Sequence, residues 1–297
     1  MMELYNVTSK VALWRESLPF LAWQERSALQ RLITLRAHDE QLTYYQRLAA
    51  SEDFETLLTK SFLGSRKFGL GEQHLQALDI RGVQESRSVL MPVVDCLNHD
   101  SKADGFHTQT DGGELVMRTF HKPSKESGEL LVFYNFSDSV DTLLRYGFVD
   151  TSSPLIGSVP MTLKVGNHKI EVKTNQVLNE DNLPADIADL RRYVPAVAKQ
   201  NRNLTHITRL LICTQNPFSL RRILIYLVYQ LELAHTEWVA QQQVLDLEKQ
   251  VLEHNYAWWQ DFAKDIDHLT ENHSAKQLAR HSLRLIDSVA SQLSTDR

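Results

Sequence analysis

Two stretches of this chain carry chemically capable side chains in surroundings that otherwise read as core. The first is Asp95-Cys96-Leu97-Asn98-His99-Asp100, directly after the apolar run Val93-Val94. The second runs from Tyr134 to Tyr146-Gly147-Phe148, a short amphipathic segment with a tyrosine at either end. A buried polar group without a partner raises the free energy of the fold, so amide, imidazole and hydroxyl groups gathered this densely point to a site. Tyrosines, amides and backbone groups dominate it rather than strong acids or bases. That set suits a reaction governed by positioning, such as methyl transfer from a sulfonium donor to an amine. Holding such reactants in line can supply roughly 7–11 kcal/mol of a barrier, and aromatic faces favour a cationic sulfonium. Either tyrosine alone would read as an ordinary interface tyrosine with one satisfied hydroxyl.

Other chemistries fit less well. No Gly-x-Ser-x-Gly elbow is present; Ile156-Gly157-Ser158-Val159-Pro160 has Ile and Pro where the glycines are needed. Asp95, His99, Asp100, His107 and His121 are metal-ligand types, but their spacing matches no zinc or iron pattern, and no metal is expected. Gly69-Leu70-Gly71 has no expected strand leading into it and no third glycine, so it makes a poor phosphate loop.

The elements that must position these residues can be read from periodicity. Leu18, Leu21, Leu29, Leu32, Ile33 and Leu35 recur at helical intervals, and residues 10–63 read as helical. Between about 86 and 135, short apolar runs separated by Asp111-Gly112-Gly113 and Ser127-Gly128 read as strands. Val159 to Lys173 alternates around Gly166-Asn167, which predicts a hairpin. From about 183 onward the pattern reads as helical throughout, with a continuous stripe Ile223, Leu227, Leu231, Ala234 and Trp238 and a last helix from about Ser274 to Leu293. Trp258 and Trp259 are expected to be buried among these helices. A strand-rich middle followed by a helical C-terminal part makes an α+β protein.

With 297 residues, 42% apolar and 23% charged, the composition is that of a globular protein. A net charge of -5 argues against a general nucleic-acid binder. Cys96 and Cys213 support neither a disulfide framework nor a zinc cluster. No apolar stretch is long enough to span a bilayer, and no secretory signal is apparent, so a cytoplasmic location is expected.

Together, three ordered motifs resemble the SET-domain methyltransferases, in the branch that contains the Rubisco large-subunit lysine methyltransferase. They are Ser65-Arg66-Lys67-Phe68, Asp95-Cys96-Leu97-Asn98-His99, and Tyr134 followed by Tyr146-Gly147-Phe148. The resemblance implies a small-sheet SET core with a pseudoknot and inserted helices, then an α-helical domain that binds a protein substrate. It divides the chain into a helical inserted region at 1–85, the C-terminal half of the core at 86–155, and the helical domain at 156–297. The pseudoknot would run through about 89–100 and 134–149.

By the same resemblance the cofactor is S-adenosylmethionine and the reaction protein lysine N-methylation. Tyr134 would be the catalytic hydroxyl. Ser65 and Arg66 would hold the donor's amino-acid end, Asn98 and His99 would bind the donor partly through backbone groups with Asp95 beside them, and Tyr146 and Phe148 would line the channel. The target residue stays open, histidine included. The family opens with a Gly-x-Gly strand ahead of the inserted helices, whereas the first glycine here is Gly64, and Asn135 stands where a glycine often follows the catalytic tyrosine. A second reading is therefore a non-catalytic SET-like protein-binding module without its donor-binding N-terminal segment.

Overall fold

The computed structural model describes residues 26–35, 67–70, 76, 87–90, 98–103, 106–111, 114–119, 131–134, 138–173, 183–185, 187–201 and 203–294. It is a mixed α and β structure of small sheets followed by a helical C-terminal region. The elements in chain order are α1 (Arg26–Thr34), β1 (Lys67–Leu70), β2 (Arg87–Leu90), β3 (Asn98–His99), β4 (Phe106–Asp111), β5 (Glu114–Thr119), β6 (Leu131–Val132), α2 (Ser139–Tyr146) and β7 (Leu155–Gly157). They continue with β8 (Met161–Val165), β9 (His168–Val172), a 3-10 turn (Ala188–Leu190), β10 (Val197–Asn201), β11 (Leu204–Ile207), β12 (Leu211–Cys213), α3 (Phe218–Gln230), α4 (Glu237–Asp265) and α5 (Ser274–Ser294).

The sheets are small. β1 pairs antiparallel with β2, β4 with β5, and β7 with β12, while β3 and β6 are parallel. The largest sheet has the order β10-β11-β9-β8, with β11 parallel to β9. Its β8–β9 hairpin forms where the alternation of Val159 to Lys173 predicts it. Along β8 the apolar residues Met161, Leu163 and Val165 are buried and Thr162 and Lys164 exposed. Gly166 at φ 56 supplies the positive φ that a two-residue turn with glycine first requires.

The core lies under the C-terminal helices. Trp259 and Phe262 of α4 are fully buried, and Leu32, Ile33 and Leu35, from α1 and the residue after it, join the same cluster. Arg31 of α1 caps this contact: it pairs with Asp265 and lies 5.0 Å from the Trp258 ring centroid. Buried polar ties fix the helices to each other and to the sheets. Glu248, fully buried in α4, takes two hydrogen bonds from Arg221 of α3, at 2.8 and 3.0 Å. Asn255 accepts from the Val159 amide at 2.9 Å and so pins α4 to the chain leaving β7.

Three expectations need correction. The stretch 183–213 is not helical; beyond the single 3-10 turn it forms β10, β11 and β12. Leu210-Leu211-Ile212-Cys213 is buried on both faces, and a short run without exposed positions carries no period to separate helix from strand. The stripe 223–238 is not one helix either. α3 ends at Gln230, and Glu232 takes φ 52, with its amide bonded to Tyr229 O and that of Leu233 to Val228 O. This is a Schellman stop with glutamate where glycine is usual, and it leaves Trp238 69% exposed. Gly69, finally, sits inside β1, so a strand does run into Gly69-Leu70-Gly71. The expected boundary at 155/156 falls inside β7. Most of the inserted region at 1–85 lies outside the described residues.

Candidate functional site

The site is built where β3 meets β6. Asn98 lies opposite Leu131 and His99 opposite Val132, and the Asp100 amide bonds to the Val132 carbonyl at 3.2 Å. This parallel register carries His99 to the start of the Tyr134 segment. The Tyr134 amide donates to Nδ1 of His99 at 3.1 Å, and Nε2 lies 3.1 Å from Oδ2 of Asp150. Nδ1 must therefore present its lone pair while Nε2 carries the proton given to the carboxylate. Both side chains are enclosed, at 2% and 8% exposure.

Asp150 is held in turn. Burial alone would raise its carboxyl, but the hydrogen bonds from His99 and from the hydroxyl and amide of Ser152 outweigh that and hold it well below the usual carboxylate range. Ser101 and Ser152 share a 2.8 Å hydrogen bond, which makes a second tie between the same two segments. Ser139, the first residue of α2, donates to the Asp150 carbonyl at 2.6 Å.

α2 positions the second tyrosine. Asp138 caps its N-terminus, accepting from the Asp141 amide at 2.9 Å and from the Gly157 amide of β7 at 2.6 Å. Arg209, 4% exposed, grips the Asp141 carboxylate at 2.7 and 3.3 Å and lies 3.9 Å from Asp138. Val140, Leu143 and Leu144 face the core. At the other end Gly147 adopts φ 80 and bonds back to Leu143 O, so the chain reverses immediately after Tyr146. That reversal brings Phe148 alongside, its ring stacked on Tyr146 with centroids 6.1 Å apart.

The result is one aromatic cluster. His99 lies 5.1 Å from Tyr134, 5.8 Å from Phe133 and 5.9 Å from Phe148, and Tyr134 meets Tyr146 edge-on at 5.0 Å. Four of the residues singled out from sequence, His99, Tyr134, Tyr146 and Phe148, are thus gathered in space. Asn98 is in β3 by its backbone. Ser65, Arg66 and Asp95 lie outside the described residues, as do Cys96 and His121. Among the described residues no group of three His, Cys, Asp or Glu side chains could hold a metal ion. His107 lies in β4.

Chemically, the cluster offers ring faces rather than acids or bases. Both ring nitrogens of His99 are engaged and its ring is enclosed by Phe133, Tyr134 and Phe148, so the imidazole is a structural member of the cluster. The rings of Tyr134, Tyr146 and Phe148 are half-buried, and aromatic faces of this kind attract cations. Asp150 and Arg209 were missed by sequence reasoning, because their partners lie 51 and 68 residues away and no local pattern marks them. Asp138 had a signal, an aspartate three residues before Asp141 at the start of an amphipathic segment.

No family model and no curated protein matches the chain. Among the described residues no helix is long and apolar enough to cross a membrane.

Proposed function

We propose that this chain is an S-adenosylmethionine-dependent protein methyltransferase of SET type that modifies a lysine side chain. One observation carries the reading: Asn98-His99 pairs in parallel with Leu131-Val132, and Tyr134, Tyr146 and Phe148 converge on the His99 ring. The donor would supply an electrophilic methyl group on a cationic sulfur.

The chain's own contribution is to bind, orient and exclude water. The ring faces of Tyr134, Tyr146 and Phe148 favour the cation and keep the pocket apolar. The Tyr134 hydroxyl would direct the acceptor amine, and Tyr146 would narrow its approach. His99 acts through position, because Nδ1 and Nε2 are committed to Tyr134 and Asp150 and neither is left to move a proton. The side chains of Ser65, Arg66, Asp95 and Asn98 would complete the donor's contacts as the family resemblance implies. A lysine acceptor must arrive neutral, so turnover should rise with pH until its deprotonation saturates.

Calorimetry with S-adenosylmethionine at millimolar concentration tests the reading, and no binding heat under those conditions overturns it. Tyr134→Phe should cut turnover strongly and leave donor affinity nearly unchanged. An equal loss of both would reduce Tyr134 to a wall of the pocket.

A further inference from the structure

A surface cavity of about 520 Å³ opens just beyond the Asp150 loop, and its described lining residues are Thr151, Gln277, Arg280, Leu283 and Arg284. Four of them lie on one side of α5 at helical spacing, from Gln277 to Arg284. Thr151 faces them from the turn whose preceding residue, Asp150, holds His99. The same turn lies near His281 of α5, which is buried and within electrostatic reach of Asp150. The cavity and the aromatic cluster thus share one short, well-anchored loop.

The charge here runs against that of the molecule. The chain carries -5 overall, yet the described lining has two guanidiniums and no carboxylate. Arg280 pairs with Glu271 through Nη2. A guanidinium has five N–H donors, so most of its donors remain available. Arg284 is exposed and has no hydrogen-bond or ion-pair partner among the described residues. Leu283 between them supplies an apolar floor. From Gln277 to Arg284 the helix rises about 10 Å, the span of roughly three residues of extended chain.

We infer that this cavity docks an acidic peptide segment, its carboxylates forking onto Arg280 and Arg284. The inference deepens the proposed function and rests on it in one respect: the docked segment belongs to the protein whose lysine reaches the aromatic cluster. Nucleic acid fits less well, because the described lining offers no aromatic ring for base stacking and only two cations for a phosphate backbone.

The test uses a fluorescently labelled deca-glutamate peptide and the full-length protein without methyl donor, followed by anisotropy. Binding that weakens from 50 to 200 mM salt, and that drops about fivefold or more with Arg284→Ser, is the expected result. Arg280→Ser should act likewise. Because it also breaks the pair with Glu271, its melting temperature is recorded, while Arg284→Ser carries the test should that variant unfold. Absence of deca-glutamate binding overturns the inference. So does an equal loss from Lys249→Ser, an exposed lysine on α4 outside the described lining, since that would mean nonspecific attraction. Tighter binding of a single-stranded oligonucleotide of equal charge overturns it in favour of nucleic acid. Donor binding is measured separately by calorimetry, so failure of the docking site and failure of the methyl-transfer reading are seen independently.

Discussion

His99 and Asp150, separated by 51 residues of chain, meet through Nε2 and Oδ2 at 3.1 Å, while the opposite ring nitrogen accepts the Tyr134 amide. The imidazole is thereby a strut between the two chain segments that form the site. Its orientation sets where the Tyr134 and Phe148 rings can lie.

Asp150→Ala should leave the Nε2 proton buried without an acceptor and free Ser152 from its cap. We expect a loss of about 1.5–3 kcal/mol of stability, read as a lower urea midpoint at unchanged slope. An unchanged midpoint would show that solvent replaces the carboxylate at no cost.

Acid should destabilise the fold in two steps. Burial pushes the His281 imidazole down, aided by Arg284 and opposed by Asp150, the Ser153 backbone and Asp138. A depressed folded value means that neutral His281 stabilises the fold fully above about pH 6.5, and that this is lost as pH falls through the folded value. Asp150 is depressed as well, so its contribution is full above about pH 3.9 and is lost only on further acidification. Urea unfolding from pH 8 to pH 3 should show both slopes, and His281→Gln should flatten the upper one alone. A variant with the same upper slope would assign it to another group.

Gly147→Ala places a Cβ at φ 80. The strain should lower stability by roughly 1–2 kcal/mol. It should also disturb the Tyr146–Phe148 stack, seen as weaker donor binding at a temperature where the variant is fully folded.

Glu232→Gly should do the reverse. Glu232 is exposed and holds φ 52 at the end of α3. Relieving that conformation, less the extra entropy glycine has in the unfolded chain, should stabilise the protein by about 0.5–1 kcal/mol, visible as a higher melting temperature. A lower melting temperature would mean that the glutamate side chain contributes more than its backbone strain removes.

Asp138→Ala removes the acceptor of two amides, those of Asp141 and Gly157, and withdraws a carboxylate from buried Arg209. A cap and a buried amide together predict a loss of about 2–4 kcal/mol. Asp138→Asn, which keeps an oxygen for one amide, should fall between the two in a urea series.

By itself the sequence determined whatever depends on near neighbours. The β8–β9 hairpin follows from alternation around Gly166-Asn167, and α5 from its apolar stripe. The residues of the candidate cluster were legible too, because polar and aromatic types stood out within apolar runs. Tertiary structure alone decided the pairs that cross long spans of chain: His99 with Asp150, Arg209 with Asp141, and β12 with β7. It also turned 197–213 into strands and ended α3 at a left-handed glutamate. Two physical reasons act here. A run such as Leu210 to Cys213, buried on both faces, shows no periodicity, and a contact between distant residues leaves no mark on the spacing of either.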